Sequence, residues 1–313
     1  MIWRCMLLVP IAAAALLVAL APYHWLADLA ASFRHCMAAG ALIVLALIWR
    51  GGRHLRWIGL VLAGYLIWPL LAYLQWPATA QATSAPAWRV LSINLAQQSD
   101  HAALFARLAA DPPDLLLFTE LPNGGANLPP DLAARLPHRS MEMPLGRSIY
   151  DVQLYSRWPL RDLTGIEGVA AQQVLTARIC RDMPDDCLTL IGMHAQMPLA
   201  PPGPAGAKRD RQLLAVGELA RQAPNGRVLL IGDLNATPWS PGFRAMLEAG
   251  GLRDTAPMLG LAGLAPTWPS WLPGWLGLNI DHALIGRGLT LRQRGLVDDP
   301  ASDHRALWVE VAP

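Results

Sequence analysis

The sequence predicts an α/β (α+β) layered domain of about 225 residues behind an N-terminal transmembrane helical segment. Three observations carry this prediction. Short apolar runs alternate with helical patterns from residue 88 onward, and three nearly pure apolar runs crowd the first 76 residues. Between them, 77–87 is rich in Ala, Thr, Ser and Pro and lacks apolar periodicity, which is the composition of a linker. The chain therefore divides into 1–76, a membrane anchor, 77–87, a linker, and 88–313, a folded domain large enough for a substantial core.

The chain has 313 residues, 53% hydrophobic and only 15% charged, a balance unusual for a wholly soluble protein. The excess is local. Met6 to Ala21 and Trp57 to Leu74 are almost purely apolar, and Cys36 to Trp49 is a shorter third run, against roughly 20 residues needed to cross a bilayer. Arg4 precedes the first run, and Arg50, Arg53 and Arg56 sit between the second and third. Basic residues stay cytoplasmic, so three spans put both basic sites inside and send the chain after Leu74 outward. A multi-pass protein of the cell (inner) membrane, with its domain periplasmic or extracellular, follows. A signal peptide ending at Ala19-Leu20-Ala21 is the rival reading; Pro22 disfavours cleavage, and the domain faces outward either way.

Cys180 and Cys187 flank a short polar loop between two strand-like runs, as the ends of a hairpin able to form a disulfide, which suits an oxidising compartment; two reduced thiols are the alternative. Cys5 and Cys36 lie in or beside apolar runs as filler. A net charge of +2 is too small to imply a nucleic-acid partner by itself.

Within the domain, strands are expected at Arg89 to Ile93, Asp114 to Thr119, Gln173 to Ile179, Leu188 to Met193, Arg227 to Ile231, Leu278 to Ile280 and Arg305 to Val311. Helical patterns cover His101 to Ala110, Lys208 to Gln222 and Pro241 to Ala249. Segments 122–147 and 256–277 read as Pro/Gly-rich loops. The second holds Trp268, Trp271 and Trp275, suited to embracing substrate, to touching the bilayer interface, or simply to pinning the loop to its own domain.

The chemistry-bearing residues sit where apolar strands end. Gly232-Asp233-Leu234-Asn235 follows the Arg227 run, and period-2 alternation would put Asp233 and Asn235 on one side of the chain. Alone, Asp-x-Asn also suits an Asx turn or a helix N-cap. Asn94, Glu120, His194 and the pair Asp281-His282 close four other runs, and Ser302-Asp303-His304 opens the last strand. Open α/β folds keep their chemistry at such strand ends. Singly, each has a bland reading: a solvated glutamate, a turn asparagine, a structural histidine.

In this order and spacing the set resembles the endonuclease/exonuclease/phosphatase superfamily, which includes abasic-site endonucleases, pancreatic-type deoxyribonucleases, inositol-polyphosphate phosphatases and neutral sphingomyelinases. The likeness covers about residues 88–313, with Gly-Asp-Leu-Asn and Ser-Asp-His its sharpest motifs. It implies a four-layer sandwich of two mixed β-sheets flanked by helices, with the active site at one end. It further implies hydrolysis of a phosphoester, more in the manner of a phosphodiesterase, with Mg2+ or Mn2+ as cofactor. Glu120, Asn94 and Asp303 would hold the ion, Asp233 with Asn235 would manage the attacking water, and His194 and His304 would contact phosphate, Asp281 fixing the His304 tautomer. The implied partners are the membrane, through the N-terminal helices, and a phosphoester substrate, either a phospholipid head group or nucleic acid. Arg211-Gln212 matches a pair common in the family, and Ser156-Arg157-Trp158-Pro159 matches a scaffold segment. The tyrosine of the abasic-site enzymes and a second acid behind His194 have no counterpart, which leaves leaving-group protonation unassigned. Asn235-Ala-Thr237 is a glycosylation sequon by coincidence. The alternative from another class is a catalytically silent membrane-anchored scaffold that retains the fold.

Overall fold

A computed structural model of the chain describes residues 2–74, 85–123, 125–140, 152–164, 174–181, 186–200, 203–204 and 206–313. Most of the expected linker, part of the 122–147 segment and the centre of the Cys180–Cys187 loop lie outside the described residues.

The N-terminal region consists of α1 (Ile2–Met6), α2 (Leu8–Leu20), α3 (Trp25–Ala31), α4 (Arg34–Ile48) and α5 (Arg53–Ile67), continued by a 3-10 turn over Trp68–Leu74. Among the described residues, two helices, Trp3–Leu20 and Arg53–Leu74, are long and apolar enough to cross a bilayer, and α3 with α4 makes a third only if the pair, bent by 65°, counts as one span. The middle apolar run is thus α4, with α3 turned away from it. Ile11, Val18, Ala38, Ala41, Ala63 and Leu66 form the seam of this bundle, small residues letting the helices approach. A Cβ placed on Gly51 would lie 3.2 Å from the Arg4 side chain, so the basic turn between α4 and α5 and the basic N-terminus share one end of the bundle.

The remainder is built from β1 (Trp88–Asn94), α6 (Ala102–Ala110), β2 (Leu115–Thr119), α7 (Pro130–Arg135), β3 (His138–Arg139), β4 (Val152–Ser156), β5 (Leu160–Thr164), β6 (Val174–Cys180), β7 (Cys187–His194), β8 (Leu199–Ala200), β9 (Gly203–Pro204), α8 (Gly206–Arg221), β10 (Val228–Asp233), α9 (Pro241–Gly250), β11 (Arg253–Asp254), β12 (Asp281–Ile285), β13 (Thr290–Val297) and β14 (Ala306–Ala312). One six-stranded sheet runs β13-β14-β1-β2-β4-β3 and the other β11-β12-β10-β7-β6-β5. Both are mixed: β1 is parallel to β2, β10 is parallel to β7, and the other pairings within them are antiparallel.

The central strands are apolar on both faces because both faces are covered. Val90, Leu115 and Leu117 meet Leu190, Leu229 and Ile231 between the sheets. Ile191, Leu230 and Leu284 turn outward under α8 and α9, while Leu91, Leu116 and Phe118 turn outward under α6 and α7. The four-layer architecture expected from the family resemblance is present.

Local expectations are revised in three places. Segment 122–147 includes α7, a helix of six residues with only Leu132 buried, too short to leave a periodic signature. Segment 256–277 begins with a 3-10 turn, Pro257–Leu264. Asp281 and His282 do not close a strand over Leu278 to Ile280; they begin β12, which runs antiparallel to β10. Alternation marks a strand but not its direction, so the sequence placed these two residues at the wrong end of the right element. The Cys180–Cys187 disulfide is formed, joining the paired ends of β6 and β7.

Candidate active site

Strand register brings the polar strand ends together. At the mouth of one sheet, Asp233 pairs with His194 on its parallel neighbour and with Asp281 on its antiparallel neighbour. At the mouth of the other, Asn94 lies beside Thr119, the residue before Glu120. The parallel pairs of both sheets end on the same side of the sandwich, and their side chains meet across the gap. The Asn94 amide nitrogen lies 3.0 Å from Glu120 Oε1, 3.1 Å from Asp233 Oδ2 and 3.3 Å from His304 Nε2.

Gly232 makes the approach of Asp233 feasible. Its φ of 141° falls where side chains are rarely accommodated, and an added Cβ would sit 2.0 Å from the Met193 carbonyl oxygen. After Asp233 the extended backbone stops: Asn235 is left-handed, with φ 48°, and its N–H donates to Asp233 Oδ1 at 2.8 Å. This is the Asx turn, and it fixes the carboxylate with Oδ2 toward the site. The residue preceding α9 is Ser240, whose side chain makes no capping bond, so Asp233 is not the cap of that helix. The alternation expected between Asp233 and Asn235 is therefore broken, and the Asn235 amide donates to the Ala195 carbonyl at 3.0 Å. With Thr237 also buried, the sequon is closed to modification. Glu120 too is left-handed, with φ 49°, a conformation that costs energy in a non-glycine residue and clusters at functional sites.

His304 is set from two sides. Ser302 Oγ donates to the Asn94 carbonyl at 2.7 Å and accepts from the His304 N–H at 3.0 Å, tying the Ser-Asp-His turn to the end of β1. Its ring nitrogen Nδ1 lies 2.8 Å from Asp281 Oδ2. Thr267 Oγ1 in turn accepts from the Asp281 N–H at 3.0 Å. His194 is fully buried, with Nε2 3.7 Å from both Glu120 Oε1 and Asp233 Oδ2.

These environments move protons. Burial alone would lower the His304 pKa, but the Asp281 carboxylate, with help from Asp233 and Asp303, raises it to about 10, so the ring is an imidazolium at neutral pH. Burial pushes the Asp233 carboxyl well above its ordinary range, and the nearby Asp281 charge pushes it further, against the pull of His304. Glu120 is raised mainly by burial, against its bond from Asn94 and the His304 charge. Three carboxylates thus converge on a single imidazolium, an excess of buried negative charge that a cation would relieve.

Glu120, Asp233 and His304 each place a potential donor atom within 4.8 Å of the others. His304, held protonated by Asp281, is no ligand in that state. The oxygens of Glu120 and Asp233 remain, and hard oxygen donors in small number suit Mg2+ or Mn2+. Asn94 turns its amide nitrogen to the acids while its Oδ1 accepts from the Ala96 N–H at 2.9 Å. Asp303 stands at the exposed rim, where the Trp268 indole donates to its Oδ2 at 2.9 Å, outside that cluster of three.

Residues 88–304 match the endonuclease/exonuclease/phosphatase family. The chain belongs to that family. Among solved structures, the 3′-5′ exonuclease NExo from Neisseria meningitidis superposes with a TM-score of 0.57 at 20% identity, over 72% of this chain and all 100% of that one. An endonuclease/exonuclease/phosphatase from Beutenbergia cavernae superposes with a TM-score of 0.55 at 18% identity, over 72% of each chain. At such identities the likeness is one of fold. No curated protein matches the sequence. Members of the endonuclease/exonuclease/phosphatase superfamily are generally hydrolases acting on phosphoesters.

Against the family pattern, Arg211 is exposed, while Gln212 is buried and its Oε1 accepts from the Gln196 N–H at 2.9 Å, bracing the turn after His194. The arginine of α8 that is buried is Arg209, which donates to the Asn235 carbonyl at 3.0 Å and to Ser240 Oγ at 3.2 Å. Its position three residues before Gln212, on the same helical face, was the available signal. Thr267, hidden in an irregular segment, offered none. Trp158 of the Ser-Arg-Trp-Pro segment packs edge-on against Trp88 beside the core, a scaffold role. Of the clustered tryptophans, Trp268 is pinned to Asp303, whereas Trp271 and Trp275 are exposed.

Proposed function

We propose that the protein is a membrane-anchored, outward-facing, divalent-metal-dependent phosphodiesterase. The observation that carries this reading is the convergence of Glu120, Asp233 and Asn94 with an imidazolium locked by Asp281, at the common mouth of both sheets.

Glu120 would hold the ion, joined from the rim by Asp303, whose charge already reaches Glu120, while Asp233 would face the ion through the attacking water; Asn94, donating to Glu120, would keep that carboxylate in place. When bound, Mg2+ or Mn2+ supplies Lewis acidity toward a non-bridging phosphoryl oxygen. The residues of the chain do the rest. Asp233 Oδ2, its partner oxygen tied to the Asn235 N–H, orients the attacking water and accepts its proton. Asn235 holds the turn that presents Asp233 beside that water. His304 donates from Nε2 to an oxygen that gains charge as phosphorus becomes five-coordinate, and Asp281 keeps the proton on the ring. His194, between Glu120 and Asp233, offers a second donor to the same group.

The orientation rests on charge. Arg4, Arg50, Arg53 and Arg56 cluster at one end of the bundle, whereas Asp28 and Ser32, which bond to the domain, follow the opposite end of α2, and the basic end is the one expected in the cytoplasm. The Cys180–Cys187 disulfide suits an oxidising space outside it.

Hydrolysis of bis-p-nitrophenyl phosphate by the full-length protein, with Mg2+, Mn2+ or EDTA, tests the reading. Turnover that requires the ion and falls by about 100-fold or more in Asp233→Ala and His304→Ala supports it. Absence of turnover with any divalent ion returns the protein to the scaffold reading. Rates on nucleic acid should fall steeply with salt, whereas rates on a zwitterionic lipid head group should not.

A further inference from the structure

Asp28 is the sole acidic residue among the first 74, and it is buried. It sits on α3, between the spans, and its Oδ2 accepts from Arg209 Nη2 at 2.5 Å. Arg209 belongs to α8 of the family domain and is also buried. A buried charge is costly unless paired, and Arg209 already has an acid beside it, since Asp210 Oδ1 lies 2.6 Å from Nη2 and 3.0 Å from Nε. Neutralising Arg209 does not require a second carboxylate brought from the anchor at full desolvation cost.

What Asp28 adds is direction. With Nη2 held by Asp28, Nη1 donates to the Asn235 carbonyl. On its other side, the Asn235 N–H holds Asp233 Oδ1. A path of hydrogen bonds, continued through the Asn235 backbone, therefore runs from α3 to the carboxylate at the centre of the site. Two further contacts grip the same region: the Trp239 indole donates to the Ser32 carbonyl at 3.0 Å, and the start of α8 abuts α3, where a Cβ on Gly206 would lie 3.5 Å from Trp25 Cβ. The turn from Asp233 to Ser240 is thereby backed by the anchor as well as by its own domain.

We infer that Asp28 and Arg209 are positioning residues through which the docked anchor helix holds the left-handed Asn235 turn, and with it Asp233, in the geometry hydrolysis needs. The inference rests on the hydrolase reading for its catalytic consequence, but not for its structural one.

The test uses full-length protein in nanodiscs. Hydrogen exchange across 234–240 is followed by mass spectrometry, and kcat and KM on bis-p-nitrophenyl phosphate are measured alongside, for wild type, Asp28→Asn, Asp28→Glu, Asp210→Asn and Arg209→Lys. Asp28→Asn is expected to speed exchange in 234–240 by about 10-fold and to lower kcat by about 10- to 100-fold with KM little changed, as a misplaced catalytic group does. Asp28→Glu, which keeps the charge, should recover most of both effects, and Asp210→Asn should cause neither. Arg209→Lys keeps a cation for Asp28 but loses the fork that reaches Asn235, so it should reproduce the Asp28→Asn signature, and it decides the matter if Asp28→Asn does not fold. Wild-type exchange in Asp28→Asn or in Arg209→Lys, or equal effects of Asp28→Asn and Asp210→Asn, would overturn the inference. A wild-type protein without turnover would remove the hydrolase reading, while the exchange data would still decide whether α3 holds the turn.

Discussion

Replacing Asp281 by Asn keeps the size of the side chain and removes the charge that holds His304 protonated. The ring nitrogen Nδ1 lies 2.8 Å from Asp281 Oδ2 in a buried site, and a hydrogen bond to a charged group is worth about 1.5–3 kcal/mol. If that interaction is expressed in the transition state, kcat at pH 7 should fall by about 10- to 150-fold. The pH dependence gives a sharper signature. With Asp281 present, His304 carries its proton until the pH approaches about 10; without it, the opposing effect of burial is less fully offset and the folded value falls. The loss should therefore shrink as the pH is lowered and the proton returns to the ring. An opposing effect exists, because Asp281 also raises the Asp233 pKa, which stands at about 8, so its removal makes that base easier to ionise at neutral and lower pH and further shrinks the loss there. The assay is the kcat profile of both proteins on bis-p-nitrophenyl phosphate from pH 5 to 9 with saturating Mg2+. An Asp281→Asn protein with wild-type kcat at pH 7 and an unchanged profile would refute the role given to His304.

Other outcomes follow from the same geometry. Gly232→Ala places a Cβ 2.0 Å from the Met193 carbonyl oxygen in a strand buried on both faces, so it should cost about 4 kcal/mol or more, seen as loss of the cooperative thermal transition or of expression. Saturating Mg2+ or Mn2+ at about 100 times its Kd should stabilise the wild type by about 2.7 kcal/mol over the EDTA-treated protein, and Glu120→Gln should abolish that shift in a thermal melt. In metal-free protein, the raised His304 pKa contributes stability that is complete below about 6.5 and is lost as the pH rises through about 10; urea titrations from pH 6 to 10 should show this decline, and it should be smaller in Asp281→Asn. Converting Cys180 and Cys187 to serine opens a short loop and should lower stability by about 2.5 kcal/mol, a change that dithiothreitol should reproduce in the wild type.

The strand-end residues were readable because each closes or opens a run of buried apolar side chains, and such runs are local features of the sequence. Their convergence was readable only through the family resemblance, since nothing local states that β1 and β10 end at the same mouth. Direction was misread at Asp281, where a polar residue at the start of an antiparallel strand looks the same as one at the end of a parallel strand. The Asx turn at Asp233 was named among the options, but its consequence, a left-handed Asn235 facing Ala195, depends on a neighbouring strand. Asp28 was invisible for a different reason. A lone acid between apolar runs reads as part of a loop until a buried arginine more than 180 residues away is placed against it.

The proposed hydrolysis requires a divalent ion at the shared mouth of the two sheets, against Glu120. Crystals of the full-length protein soaked in Mn2+, with diffraction recorded near the manganese absorption edge, test it directly. An anomalous peak is expected within about 2.5 Å of a Glu120 carboxylate oxygen and should disappear in Glu120→Gln. A peak bound elsewhere, or none at Mn2+ concentrations that support turnover, would contradict it.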